Sequence, residues 1–152
     1  MKNYSNCAAM WGLLDLLYKL KAEHRLEASQ VESMQFGMRA SSARMVGTIQ
    51  GADVKDIFGA QFSAPYSVGM AFVLGDNRPR SYKSHVFPYG RWQEIVEVSR
   101  KVRVVPDDEA EAQGIRQKIY GYTRAEIRLT NGQVIRAESS DRKSTRLNSS
   151  HT

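Results

Sequence analysis

The chain has 152 residues, of which 41% are hydrophobic, 25% charged and 9% aromatic, enough apolar material for the core of one domain. No apolar run of about 18 residues is present to span a membrane. The start Met1-Lys2-Asn3-Tyr4 lacks a signal-like apolar stretch, and a single cysteine rules out an internal disulfide, so a reduced, cytoplasmic domain is expected. The net charge of +6 invites a nucleic-acid reading, but apart from Arg78, Arg80, Lys83 and Arg91 around one loop the cations are scattered. A polyanion-binding surface concentrates its charge, so no nucleic-acid partner is expected.

Met10, Leu13, Leu14, Leu17 and Leu20 form a helical stripe, with Ser5 or Asn6 as a cap and His24 and Arg25 suited to the negative end. Met34, Phe36 and Met38 alternate with Gln35, Gly37 and Arg39, which predicts a strand with one buried face. Residues 40–60 are small and polar with weak periodicity, and read as a connection. Ser63-Ala64-Pro65 opens a second helix, apolar almost all round from Tyr66 to Leu74 and ended by Gly75. A turn-rich stretch runs from Asp76 to Gly90.

Trp92, Ile95, Val96 and Ser99 mark a third helix, followed by a strand from Val102 to Val105 and the turn Pro106-Asp107-Asp108. Ala125, Ile127 and Leu129 alternate with charged residues up to Asn131-Gly132, a hairpin signal, and Val134 to Ala137 returns. A two-residue turn would set Ile127 opposite Arg136. A three-residue loop, Thr130-Asn131-Gly132 with Gly132 left-handed, would pair Ile127 with Ile135 and Ala125 with Ala137. The second register gathers the apolar residues on one face and is the one predicted. The fold class is α+β, a small antiparallel sheet with helices packed on one face.

Residues 141–152 carry three basic residues, one acidic and one apolar, Leu147. The segment resembles the peptide encoded by adapter DNA at a broken reading frame. It is read as an unstructured, non-native tail beyond a domain of residues 1–140.

No metal site is expected: His24, His85 and His151 stand far apart and Cys7 has no cysteine partner. No phosphate-binding glycine loop or nucleophile elbow is present, and no cofactor is called for. One segment carries more. A Ser cap followed by Pro leaves free backbone N–H groups at the start of a buried helix, a place for a carboxylate. Tyr66 in its first turn could reach the same anion or transfer a proton. The plainer alternative makes Phe62 and Tyr66 core aromatics and Ser63 only a cap.

Gln61-Phe62-Ser63-Ala64-Pro65-Tyr66, leading into an apolar helix that ends Leu74-Gly75-Asp76, resembles the Q-F-S-x-P-Y segment of the MmgE/PrpD family. That family includes 2-methylcitrate dehydratase and cis-aconitate decarboxylase. The order of the other elements agrees, and the resemblance spans roughly residues 2–138, the family's C-terminal, or lid, domain alone. It implies lyase or isomerase chemistry on a small di- or tricarboxylate: proton abstraction beside a carboxylate, with loss of water or carbon dioxide, or epimerisation. It further implies Tyr66 as the catalytic residue of this part, Lys2, Cys7, Gln61 and Ser63 as substrate-binding residues, and a homodimer. Most of the catalytic groups would come from a preceding helical domain, so the chain reads as a fragment. Against the family pattern K-x-[YF]-P-x-[CH]-x-x-x-H, Lys2, Tyr4 and Cys7 match, whereas Ser5 replaces Pro and Trp11 stands where His is expected. A non-catalytic homologue or small-carboxylate binding module is the other reading.

Overall fold

The computed structural model describes residues 7–78, 81 and 90–140. Its first helix, α1 (Trp11–His24), follows a single 3-10 turn and buries Leu13, Leu14, Leu16, Leu17 and Leu20. Gly12 lies so close to the Gly121 backbone that a Cβ there would meet the Gly121 carbonyl oxygen at 2.0 Å. That contact draws the head of α1 against the segment leading into the hairpin. Ser5 and Asn6 lie outside the described residues.

Strand β1 (Val31–Met38) turns Met34, Phe36 and Met38 into the core, as the alternation predicts. The stretch read as a connection contains helices α2 (Ala40–Gly47) and α3 (Ile57–Phe62). Both are short and shallow: α2 buries only Ser42, Ala43 and Val46, and α3 only Ala60, so neither writes a full apolar stripe. Helix α4 (Ala64–Val73) starts at the expected Ser63 cap and is buried from Ala64 to Ala71. Helix α5 (Trp92–Ser99) leads into β2 (Val102–Pro106). The acidic turn that follows opens a further helix, α6 (Asp108–Gln117), capped by Asp107 and burying only Ala110. Strands β3 (Arg124–Leu129) and β4 (Val134–Glu138) complete the sheet.

Strand order is β2-β1-β3-β4. The α+β class stands, but the sheet is mixed, because β2 runs parallel to β1 while β3 and β4 pair antiparallel. The cause is connectivity. The chain passes through α2 to α5 between β1 and β2, a crossover long enough for a parallel pair. The main core lies between the helices and one sheet face, joining α1 leucines to Met34, Phe36, Ile127 and Ile135. The opposite face carries Gln35, Arg124, Glu126, Arg136 and Glu138 around an open polar cleft of about 370 Å³.

The hairpin takes the predicted register. Ile127 pairs with Ile135, Ala125 with Ala137 and Arg128 with Val134. Leu129 N–H donates to Gln133 O at 2.9 Å, Gly132 N–H donates to Leu129 O at 3.0 Å, and Gly132 sits at φ +94°. That is a three-residue loop with a glycine bulge, which keeps Ala125, Ile127, Ile135 and Ala137 all buried.

Candidate functional site

The junction between α3 and α4 is built by two caps in succession. Asp56 starts α3 by accepting from Gly59 N–H at 2.8 Å, and the helix lasts six residues before the chain extends at Ser63. Ser63, fully buried, then starts α4: its Oγ accepts from Tyr66 N–H at 3.2 Å and donates to the Ile49 carbonyl at 2.8 Å. Ser67 N–H donates to the Ser63 carbonyl at 2.9 Å, and its hydroxyl donates to the Ala60 carbonyl at 3.1 Å. Pro65 has no N–H. At most the Ala64 N–H therefore remains for an anion at this end, fewer than the open helix start the sequence suggests.

Tyr66 is 2% exposed and belongs to a second apolar cluster with Ala60, Met70, Ile95 and Val96. Its packing matches the plainer alternative, a core aromatic, and Ser63 acts as a cap. Phe62 departs from that alternative, being 39% exposed.

The first segment meets the motif directly. Cys7 N–H donates to the Gln61 carbonyl at 3.0 Å, so two of the expected substrate-binding residues are in contact, with Ser63 just beyond. The free Cys7 thiol lies 3.3 Å from the Met45 sulfur. Lys2 falls outside the described residues, as do Arg80, Lys83, His85 and His151. Trp11 is partly buried at the head of α1, and Tyr66 packs in the second apolar cluster.

Around this junction lies apolar surface that the sequence reading missed. Phe58 is 74% exposed and Met45 50%, and Phe58 and Phe62 are spaced to share one face of α3. The signal was present in Asp56 followed by Gly59 and a Phe pair four apart, but it is one turn long.

At the far end of α4, Lys21 donates to the Ala71 carbonyl, with its ammonium 5.3 Å from the Tyr18 ring centroid and 5.1 Å from that of Phe72. Burial holds its pKa below the usual lysine value. Arg91 adds a bond to the Val73 carbonyl at 3.0 Å. Two cations thus sit where the helix dipole is negative. Asn77, buried, accepts from the Tyr18 hydroxyl and donates to the Ser67 carbonyl at 3.1 Å, tying the start of the next loop to α1 and α4.

Among the described residues no group of three or more His, Cys, Asp or Glu is placed to hold a metal ion. No helix among them is long and apolar enough to cross a membrane.

A sheet with helices on one face, a Ser-capped buried helix and the Cys7–Gln61 contact define a small α+β domain whose distinctive residues meet at one junction. The family model for the MmgE/PrpD C-terminal domain matches residues 4–149, and the chain belongs to that family. No curated protein matches it.

Proposed function

We propose that the chain is the lid of a lyase or isomerase acting on a small di- or tricarboxylate, closing over a site carried mainly by a helical domain. The observation that carries this reading is the convergence of Cys7, Gln61 and Ser63 at one junction bordered by exposed Met45, Phe58 and Phe62. An exposed apolar patch beside polar motif residues is what a docking domain would cover. In this reading Lys2, Cys7, Gln61 and Ser63 bind substrate carboxylate, and Tyr66 donates or accepts the proton at the reacting carbon. Tyr66 is buried, so its role requires closure to open the start of α4, as lids that complete a site on closing can do. The reaction class is dehydration, decarboxylation or epimerisation, in a cytoplasmic enzyme that pairs as a homodimer. Within the chain, residues 1–140 form the domain and 141–152 a non-native tail. An unchanged melting temperature after truncation at Ser140 is the expected result, and a lower one would show that the tail packs.

Trp11 favours a second reading. An indole offers area and one N–H donor but no acid–base or cationic function, so a small-carboxylate binding module without turnover fits its replacement of the family's histidine.

The test is docking. Phe58→Ser with Phe62→Ser in the chain should weaken its association with a family helical domain by about tenfold or more while leaving its circular dichroism unchanged, because exposed aromatic anchors dominate such interfaces. Undiminished association would remove this face from the interface.

A further inference from the structure

Helix α2 is seated by its inner face. Ser42, Ala43 and Val46 are buried, and Gly47 lets the helix approach β2 so closely that a Cβ there would fall 3.0 Å from the Val104 side chain. Met45, beside Val46 but off that inner face, is 50% exposed, whereas Met10, Met34, Met38 and Met70 are each 1% exposed or less. Among the described residues it is the one methionine outside the core. Its sulfur accepts from the Cys7 thiol at 3.3 Å, and Cys7 N–H in turn donates to the Gln61 carbonyl at 3.0 Å, next to exposed Phe62. A solvent-accessible thioether is thus joined by direct contacts to the apolar face of α3.

We propose that Met45 is a hydroperoxide-sensitive modification site whose oxidation releases this face from a helical domain; the release rests on the docking reading given above. A thioether reacts without first losing a proton, so exposure sets its susceptibility. One sulfur lone pair takes the Cys7 hydrogen and the other remains for oxygen. The sulfur attacks one peroxide oxygen: an S–O bond forms as the O–O bond breaks, and the departing hydroxide takes the proton of the transferred oxygen and leaves as water. Sulfur is oxidised and the peroxide reduced. The sulfoxide sets a strongly hydrated dipole where an apolar sulfur stood, and covering it with an apolar partner costs free energy. Methionine sulfoxide reductase chemistry returns the thioether.

The test treats the full chain with hydrogen peroxide, removes the oxidant, returns any Cys7 sulfenic acid to thiol with dithiothreitol, and locates the added oxygen by peptide mass mapping. Met45 should be oxidised about tenfold or more faster than Met10, Met34, Met38 and Met70, with circular dichroism unchanged. Oxidation of Met45 no faster than that of the buried four would overturn the site. The second measurement is association with a family helical domain. The Met45 sulfoxide should weaken it by about tenfold or more, and methionine sulfoxide reductase should restore it. Met45→Gln sets a polar amide at the same place without peroxide and should weaken association similarly, which covers an oxidised chain that loses its fold. In Met45→Leu, peroxide should leave association at that variant's own untreated level; a loss there would put the sensitivity elsewhere and overturn the proposal. A folded sulfoxide form that associates as tightly as the untreated chain would overturn the release alone, leaving the docking reading to the Phe58 and Phe62 variants. An untreated chain that does not associate would overturn the docking reading and the release together.

Discussion

The β3–β4 hairpin and the α3–α4 junction both break regular structure within one to four residues, with buried apolar residues beside them, yet they are specified in different ways. In the hairpin every second residue points to the core, and a one-residue slip would bring Arg136 opposite Ile127. The register is therefore written in a dozen adjacent residues and closes on itself. At the α3–α4 junction the partners are remote in sequence: Ser63 satisfies Ile49, and Gln61 accepts from Cys7. Local pattern settles a structure whose contacts are local, whereas a junction assembled from distant segments shows only its cap in the sequence.

The largest effect that sharpens this contrast is in the hairpin core. Ile127 on β3 is fully buried in the core shared with the α1 leucines, so Ile127→Ala should cost about 3 kcal/mol in chemical unfolding. A loss below about 1 kcal/mol would show that the hairpin packs loosely. At the junction, Ser63→Ala removes a helix cap and leaves the Ile49 carbonyl without its partner, an expected cost of about 2 kcal/mol by thermal or urea unfolding. An effect no larger than that of an exposed serine would contradict the assigned bonds.

Gly132→Ala tests the hairpin by conformation alone. No heavy atom lies within 4 Å of the position a Cβ would take, but φ is +94°. A cost of about 1 kcal/mol is expected, with Leu129–Gln133 pairing retained in amide exchange. Loss of that pairing would mean that the loop, and not the apolar face, holds the register.

The smallest effect is electrostatic. Burial, and then the hydrogen bond to Glu138, raise the Tyr122 pKa above the ordinary tyrosine value of about 10. The folded state thus favours the neutral phenol. The stability it contributes is present below about pH 10 and lost as pH rises through the folded value. Glu138→Gln removes the carboxylate and should bring the Tyr122 transition, followed by ultraviolet absorbance, back toward 10. An unmoved transition would exclude the Glu138 contribution.

The sequence makes α1, α4, α5, the four strands and the final register legible through an apolar stripe, an apolar or valine-rich run, or a strict alternation. It hides α2, α3 and α6, which bury one to three residues apiece and depend on capping and on neighbours. The parallel β1–β2 pair was equally hidden, since Val102 to Val105 carries no mark of which strand it will join. Of the candidate site, Ser63 and Tyr66 could be placed from the cap and the apolar run. The Cys7–Gln61 contact and the exposed face of α3 could not, because they arise only when the first segment folds back onto the motif.

The central claim is that this domain completes a site it does not itself contain, and turnover tests it most directly. The chain should be assayed against 2-methylcitrate and cis-aconitate, first alone and then together with, or fused to, a helical domain of the same family. The account predicts no turnover alone and turnover on assembly. Tyr66→Phe should lower it about a hundredfold or more, the usual worth of a positioned acid–base group. Turnover by the isolated chain, or an assembled enzyme indifferent to Tyr66→Phe, would contradict it.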